Sequence, residues 1–72
     1  MTNIKFHTPI DENVNIAIYN MLGEHVRELT DHFFKAGTHE LVFNGNELSQ
    51  GIYFLKMTTE GFTETKNMNI LQ

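Results

Sequence analysis

Apolar and polar side chains alternate along this chain in short runs, each closed by turn residues after roughly 8–12 positions. A period of two sends successive side chains to opposite faces of a strand. Turn signals at that spacing then describe sheets packed on sheets. In the first run Ile4 and Phe6 alternate with Asn3, Lys5 and His7, and Pro9 followed by Asp11, Glu12 and Asn13 closes it. Next, Val14, Ile16 and Ile18 alternate with Asn15, Ala17 and Tyr19. One face is strongly apolar and the other mixed, as in a half-buried antiparallel strand. Residues 20–24 read as a hairpin loop in which Gly23 supplies a positive φ. Residues 25–30 read as a short strand with Val26 as its core residue, and Leu29 breaks the alternation, which predicts a bulge or bend. A helix over residues 21–34 is the competing reading, since Leu22, Val26, Leu29 and Phe33 follow a 3.6 period; Gly23 and the flanking strand pattern oppose it.

The second half repeats the theme. Ala36-Gly37 marks a turn, after which Leu41 and Phe43 alternate with Glu40 and Val42. Asn44-Gly45-Asn46 is a further turn signal, and residues 47–51 form a compact loop anchored by Leu48. The segment 52–58 carries Tyr53, Leu55 and Met57 on one face and Ile52 and Phe54 on the other, which predicts a central strand buried on both sides near its start. Thr59, Glu60 and Gly61 turn the chain into a last strand, residues 62–71, with Phe62, Met68 and Ile70 at even positions and Glu64 and Lys66 between them. The chain reads as all-β: a small antiparallel β-sandwich of six or seven strands, with residues 1–72 as one domain.

Composition removes several function classes. A chain of 72 residues supports one small core, worth about 3–5 kcal/mol. There is no cysteine, hence no disulfide and no Cys-based zinc site. No apolar run approaches the roughly 18 residues of a spanning helix, and no basic segment leads into an apolar one at the N-terminus, so no signal peptide is read. The net charge is −4, with five Lys+Arg that form no basic stripe, which argues against nucleic acid. His25, His32 and His39 lie seven apart and His7 stands alone, so no pair has the spacing that puts two metal ligands on one strand or helix turn. Ser49 is the only serine and no Gly-x-Ser-x-Gly surrounds it. A sandwich of this size also has little room for a substrate pocket, so no catalytic group, cofactor or small-molecule substrate is assigned.

The order of motifs resembles one family, the C-terminal sorting domains of type IX (Por) secretion-system cargo. More distantly the chain is similar to the Ig-like module of flagellar hook-capping proteins. The matching blocks are Thr2-Asn3-Ile4-Lys5-Phe6, then residues 14–26 with Tyr19-Asn20-Met21-Leu22-Gly23-Glu24-His25-Val26 at their end, then Ala36-Gly37-Thr38-His39. Leu48-Ser49-Gln50-Gly51-Ile52-Tyr53-Phe54-Leu55-Lys56-Met57 and Thr65-Lys66-Asn67-Met68 complete the series. Leu-x-x-Gly-Ile-Tyr-Phe is the most specific element, and the likeness spans essentially the whole chain. An Asn-Pro-rich opening box usual in the family is absent, and the last strand has one lysine, Lys66, where many relatives have two basic residues. The resemblance implies an Ig-like fold and a non-catalytic address label carried by a larger secreted protein. It implies recognition in the periplasm of a Gram-negative bacterium, passage through the outer-membrane translocon, and often removal by a surface sortase, leaving the cargo secreted or on the cell surface.

The residues themselves suggest where such recognition would occur. A sandwich leaves edge strands whose free N–H and C=O groups can add a partner strand. The last strand is the best candidate, with Thr65, Lys66, Asn67 and Met68 as receptor-contacting residues. The competing reading is a paired strand with a solvated outer face. Gly23, Leu48, Gly51 and Tyr53 are read as structural: two glycines for backbone conformation, a loop anchor, and a tyrosine whose buried body and bonded hydroxyl fix a corner. A monomer is expected, with dimerisation through an unpaired edge as the alternative. Two other functions stay open at this stage. One is a carbohydrate- or surface-binding module using Tyr19, Phe33, Phe34 and Phe62, with one of the Phe33-Phe34 pair exposed. The other is an Ig-like spacer.

Overall fold

A computed structural model describes residues 2–45 and 48–70. Among these residues six strands run in order: β1 (Thr2–Thr8), β2 (Glu12–Tyr19), β3 (His25–Phe34), β4 (Gly37–Phe43), β5 (Gly51–Thr58) and β6 (Thr63–Ile70). They form two antiparallel sheets, one of β1 and β4 and one of order β3-β2-β5-β6. The all-β sandwich expected from the alternation is therefore what forms, and no helix replaces residues 21–34. Parts of the expected elements, Asn46 of the central turn, Glu47 of the following loop and Leu71 of the last strand, lie outside the described residues.

The core is the alternation made physical. Ile4 and Phe6 of β1 and Phe43 of β4 face Val14, Ile16 and Ile18 of β2, Tyr53 of β5 and Ile70 of β6. Val14, Ile16 and Ile18 are at most 1 % exposed, so each contributes about 1.5–3 kcal/mol of burial to a small domain. Leu29, Leu41 and Leu55 pack against both halves of this core and join them. Where β1 ends and the chain crosses between sheets, the buried Thr8 hydroxyl donates to the Lys35 carbonyl at 3.0 Å. The Ala36 N–H donates to the Asp11 carboxylate at 2.7 Å, tying the two crossovers together.

Expectations for three strands need correction. Val26 is not a core residue; it is 37 % exposed. In the β2–β3 ladder Ile16 faces Thr30 and Ala17 faces Glu28, so Leu29 is an extra residue, the bulge its broken alternation predicts. That bulge flips the parity of the opening residues of β3, so Arg27 takes the inward register position opposite Ile18, and Val26 falls in a second bulge before His25 meets Tyr19. β3 also runs on to Phe34, because residues 31–34 pair with β2 although two polar residues followed by two phenylalanines do not alternate. Second, β5 is an interior strand of its sheet, but it is not buried on both faces: Ile52 is 47 % exposed. The two-stranded sheet covers one face of the four-stranded sheet, and among the described residues nothing covers the other. Third, Phe62 precedes β6; its carbonyl accepts the Thr59 N–H at 2.9 Å in the turn, and its ring is 43 % exposed.

Candidate functional site

The sequence places the candidate contact residues on β6, and the topology makes β6 an edge. It pairs with β5 on one side, and among the described residues no strand pairs with the other. The register sets Lys66 opposite Leu55, Thr65 opposite Lys56, Asn67 opposite Phe54 and Met68 opposite Tyr53. Residues opposite one another share a sheet face. Lys66 and Met68 therefore project on the inner side with Leu55 and Tyr53, and Thr65 and Asn67 on the outer side. The four residues are neighbours in sequence but form two faces of one edge.

Burial along the inner side of β6 is graded. Ile70 is buried, Met68 half-buried, and Lys66 and Glu64 exposed. The strand thus emerges from the core toward its N-terminal end. There the Lys66 ammonium pairs with the Glu64 carboxylate at 3.3 Å, with the two side chains 70 % and 52 % exposed. An ion pair this open to water contributes about 0–1 kcal/mol and is easily exchanged for another partner.

A groove of about 240 Å³ lies beside this end of β6. Lys66, Glu64, Asn67 and Met68 form one wall, and β1 contributes the other through Asn3, Ile4, Lys5 and Phe6. The involvement of β1 carries no sequence signal: strands at opposite ends of the chain meet here only because both are outer strands of stacked sheets.

The structural residues hold β6 in place at second hand. Leu48 is buried in the core, and its N–H donates to the Gly45 carbonyl at 3.0 Å. The Tyr53 hydroxyl donates to the Ser49 carbonyl at 2.7 Å. Between these anchors Gly51 has φ 157°, a conformation open essentially to glycine alone, and it faces Ile70 at the buried end of β6. No backbone approaches closely there; the nearest atom to an added Cβ would be a Tyr53 ring carbon at 4.0 Å. Conformation, not space, is why this position is glycine. Gly23, with φ 84°, sits in the β2–β3 hairpin, where its N–H donates to the Asn20 carbonyl.

The aromatic residues do not make one platform. Phe34 packs edge-on against Phe6 with ring centroids 5.2 Å apart, while Phe33 is 60 % exposed. Tyr19 stands at the other end of β2 from Asn13, the residue Phe33 faces, a separation of about 20 Å along the strand. The histidines are spread as well: His25 packs on Tyr19, His39 donates from Nε2 to the Lys35 carbonyl at 2.7 Å, and His7 lies 3.4 Å from the Thr38 hydroxyl. Among the described residues no three His, Asp or Glu side chains converge as metal ligands would.

A family model described as the secretion system C-terminal sorting domain matches residues 1–71. Comparisons with curated proteins and with solved structures returned no match.

Proposed function

Because this chain belongs to the family of secretion system C-terminal sorting domains, and so is a sorting signal that takes cargo across the outer membrane by type IX secretion, we propose that the machinery reads it at the β6 edge. The signal interacts with that machinery and reaches the cell surface or the medium with its cargo. The finer assignments are our reading. The translocon is the first partner and a sortase acts afterwards on the chain upstream. Residues 1–72 act as one Ig-like, monomeric unit without catalytic activity, and Thr65, Lys66, Asn67 and Met68 touch the receptor.

The observation that carries this reading is the position of β6. Among the described residues it combines a free edge, a motif of the family resemblance, and side chains that pass from core to solvent within seven residues, Ile70 to Glu64. In this reading the machinery recognises a surface that is presented only when the domain is folded. An edge strand anchored by Ile70 and Tyr53 is such a surface, because unfolding removes the edge together with the core. Glycan binding has no comparable support, given the separation of Tyr19 from Phe33.

Site-specific photo-crosslinking tests the contact. A photoreactive residue at Thr65 or Asn67 should trap a component of the outer-membrane machinery in cells exporting a fused reporter. The same probe at Glu40 on β4, exposed on the far sheet, should not. Equal yields from both positions would remove β6 as the contact strand.

A further inference from the structure

The groove beside β6 has the walls of a missing strand. Asn3, Ile4, Lys5 and Phe6 are four consecutive residues of β1, and all four line it. Successive side chains of a strand leave opposite faces, so a wall containing both parities is the edge of a strand. β6 does the same with Glu64, Lys66, Asn67 and Met68. The interior strands differ: β2 and β5 contribute only inner-face residues, Ile16, Leu55 and Met57, and these form the floor. Among the described residues β1 pairs with β4 alone and β6 with β5 alone. Two edges with backbone donors and acceptors outside any ladder thus border one apolar floor.

This shape selects an occupant. A volume of about 240 Å³ is below the roughly 300–1,000 Å³ of pockets that enclose small ligands. A helix would satisfy its own backbone and leave both edges unused, whereas an extended segment can bond to an edge and drop alternate side chains onto the floor. The charge is also specific. The chain carries −4 overall with five Lys+Arg, yet the groove walls hold Lys5 and Lys66 against one acid, Glu64, already engaged with Lys66. A local surplus of positive charge on an acidic domain favours a carboxylate-bearing partner and disfavours a second copy of this acidic chain.

Resting on the reading of β6 as the contact strand, we propose that the β1–β6 groove receives one extended strand of the secretion machinery. That strand alternates apolar residues, which cover Ile16, Leu55 and Met57, with acidic residues that meet Lys5 and Lys66. The Glu64–Lys66 pair opens on docking, and the incoming carboxylate replaces Glu64.

The 72-residue chain, labelled with ¹⁵N, is titrated with a blocked octapeptide alternating valine and glutamate. Chemical shifts should move and amide exchange should slow at residues 3–6 and 64–68. N-methylation of alternate peptide amides, or lysine in place of glutamate, should each weaken binding about tenfold or more. The double variant Lys5→Glu with Lys66→Glu should invert the preference between the two peptides, and Lys5→Ala with Lys66→Ala should abolish it; melting curves confirm that both fold. No shifts at either edge at millimolar peptide, shifts confined to Tyr19 and Phe54, undiminished binding of the N-methylated peptide, or a β6-mediated dimer that the peptide leaves intact would each overturn the proposal. The double variants are also placed behind a reporter. Full export without peptide binding removes the groove and leaves the sorting role standing, whereas retention of the native fusion in a secreting strain removes the sorting role itself.

Discussion

The Tyr53 hydroxyl donates to the Ser49 carbonyl oxygen at 2.7 Å, while the Tyr53 ring packs in the core opposite Met68 of the edge strand. One side chain therefore closes the loop ahead of β5 and supports the residue that leads β6 out of the core. Tyr53→Phe keeps the ring and removes the bond, so it should lower unfolding free energy by about 0.5–1.5 kcal/mol. Tyr53→Ala should cost about 3–5 kcal/mol, as much as a domain of this size has. Urea titration followed by circular dichroism checks both: a measurable midpoint for the phenylalanine variant, and a chain unfolded without denaturant for the alanine variant.

At Gly51 the cost of a side chain is set by φ 157° and not by crowding. Gly51→Ala and Gly51→Val should both destabilise by more than about 1 kcal/mol. Gly51→Ala should therefore account for most of the valine effect, which a steric cause would not give. Thermal melts of the two variants side by side make the comparison.

Asn20 organises the β2–β3 hairpin. Its Oδ1 accepts the N–H groups of Leu22 and Glu24 at 2.9 and 3.0 Å, and its Nδ2 donates to the Glu24 carboxylate at 2.9 Å. Asn20→Ala should cost about 1–2 kcal/mol, with the loss concentrated in the hairpin. Amide exchange should accelerate at Leu22 and Glu24 ahead of the core strands. Uniform acceleration across all strands would mean the hairpin contributes no local order.

Apolar residues on the two faces of the four-stranded sheet should differ in their sensitivity to truncation. Ile18→Ala removes a side chain that is 0 % exposed and should cost about 2–5 kcal/mol. Ile52→Ala, at a position 47 % exposed, should stay within about 0.5 kcal/mol of the parent in the same titration. A large loss from Ile52→Ala would mean that something covers the outer face in solution.

Much of this was legible because period-two patterning and turn chemistry act locally. The core residues of β1, β2, β4 and β6, the bulge at Leu29, the Leu48 anchor and the bonded Tyr53 hydroxyl are all readable from residues within a few positions of themselves. What escaped the sequence depends on relations between strands. Val26 moves to the surface because the bulge at Leu29 reverses the parity of the strand behind it. Ile52 stays exposed because the two-stranded sheet lies on the opposite face of its sheet. The groove involves Lys5 and Lys66, sixty-one positions apart in the chain, and nothing but the stacking order of the sheets brings them to one slot.

Lys66 separates contact from stability. Its pair with Glu64 is largely exposed, so Lys66→Ala should change stability by less than about 1 kcal/mol. Export of a fused reporter should nevertheless fall markedly, with the melting curve preserved. A fall in export matched by an equal loss of fold would assign the lysine a structural role instead.

The central claim is that this fold, by itself, directs a passenger across the outer membrane. A reporter carrying a signal peptide and ending in residues 1–72 should be fractionated from a type IX-secreting bacterium and from an isogenic strain lacking the translocon. The account predicts reporter at the cell surface or in the medium of the first and in the periplasm of the second. Reporter confined to the periplasm of both would contradict it.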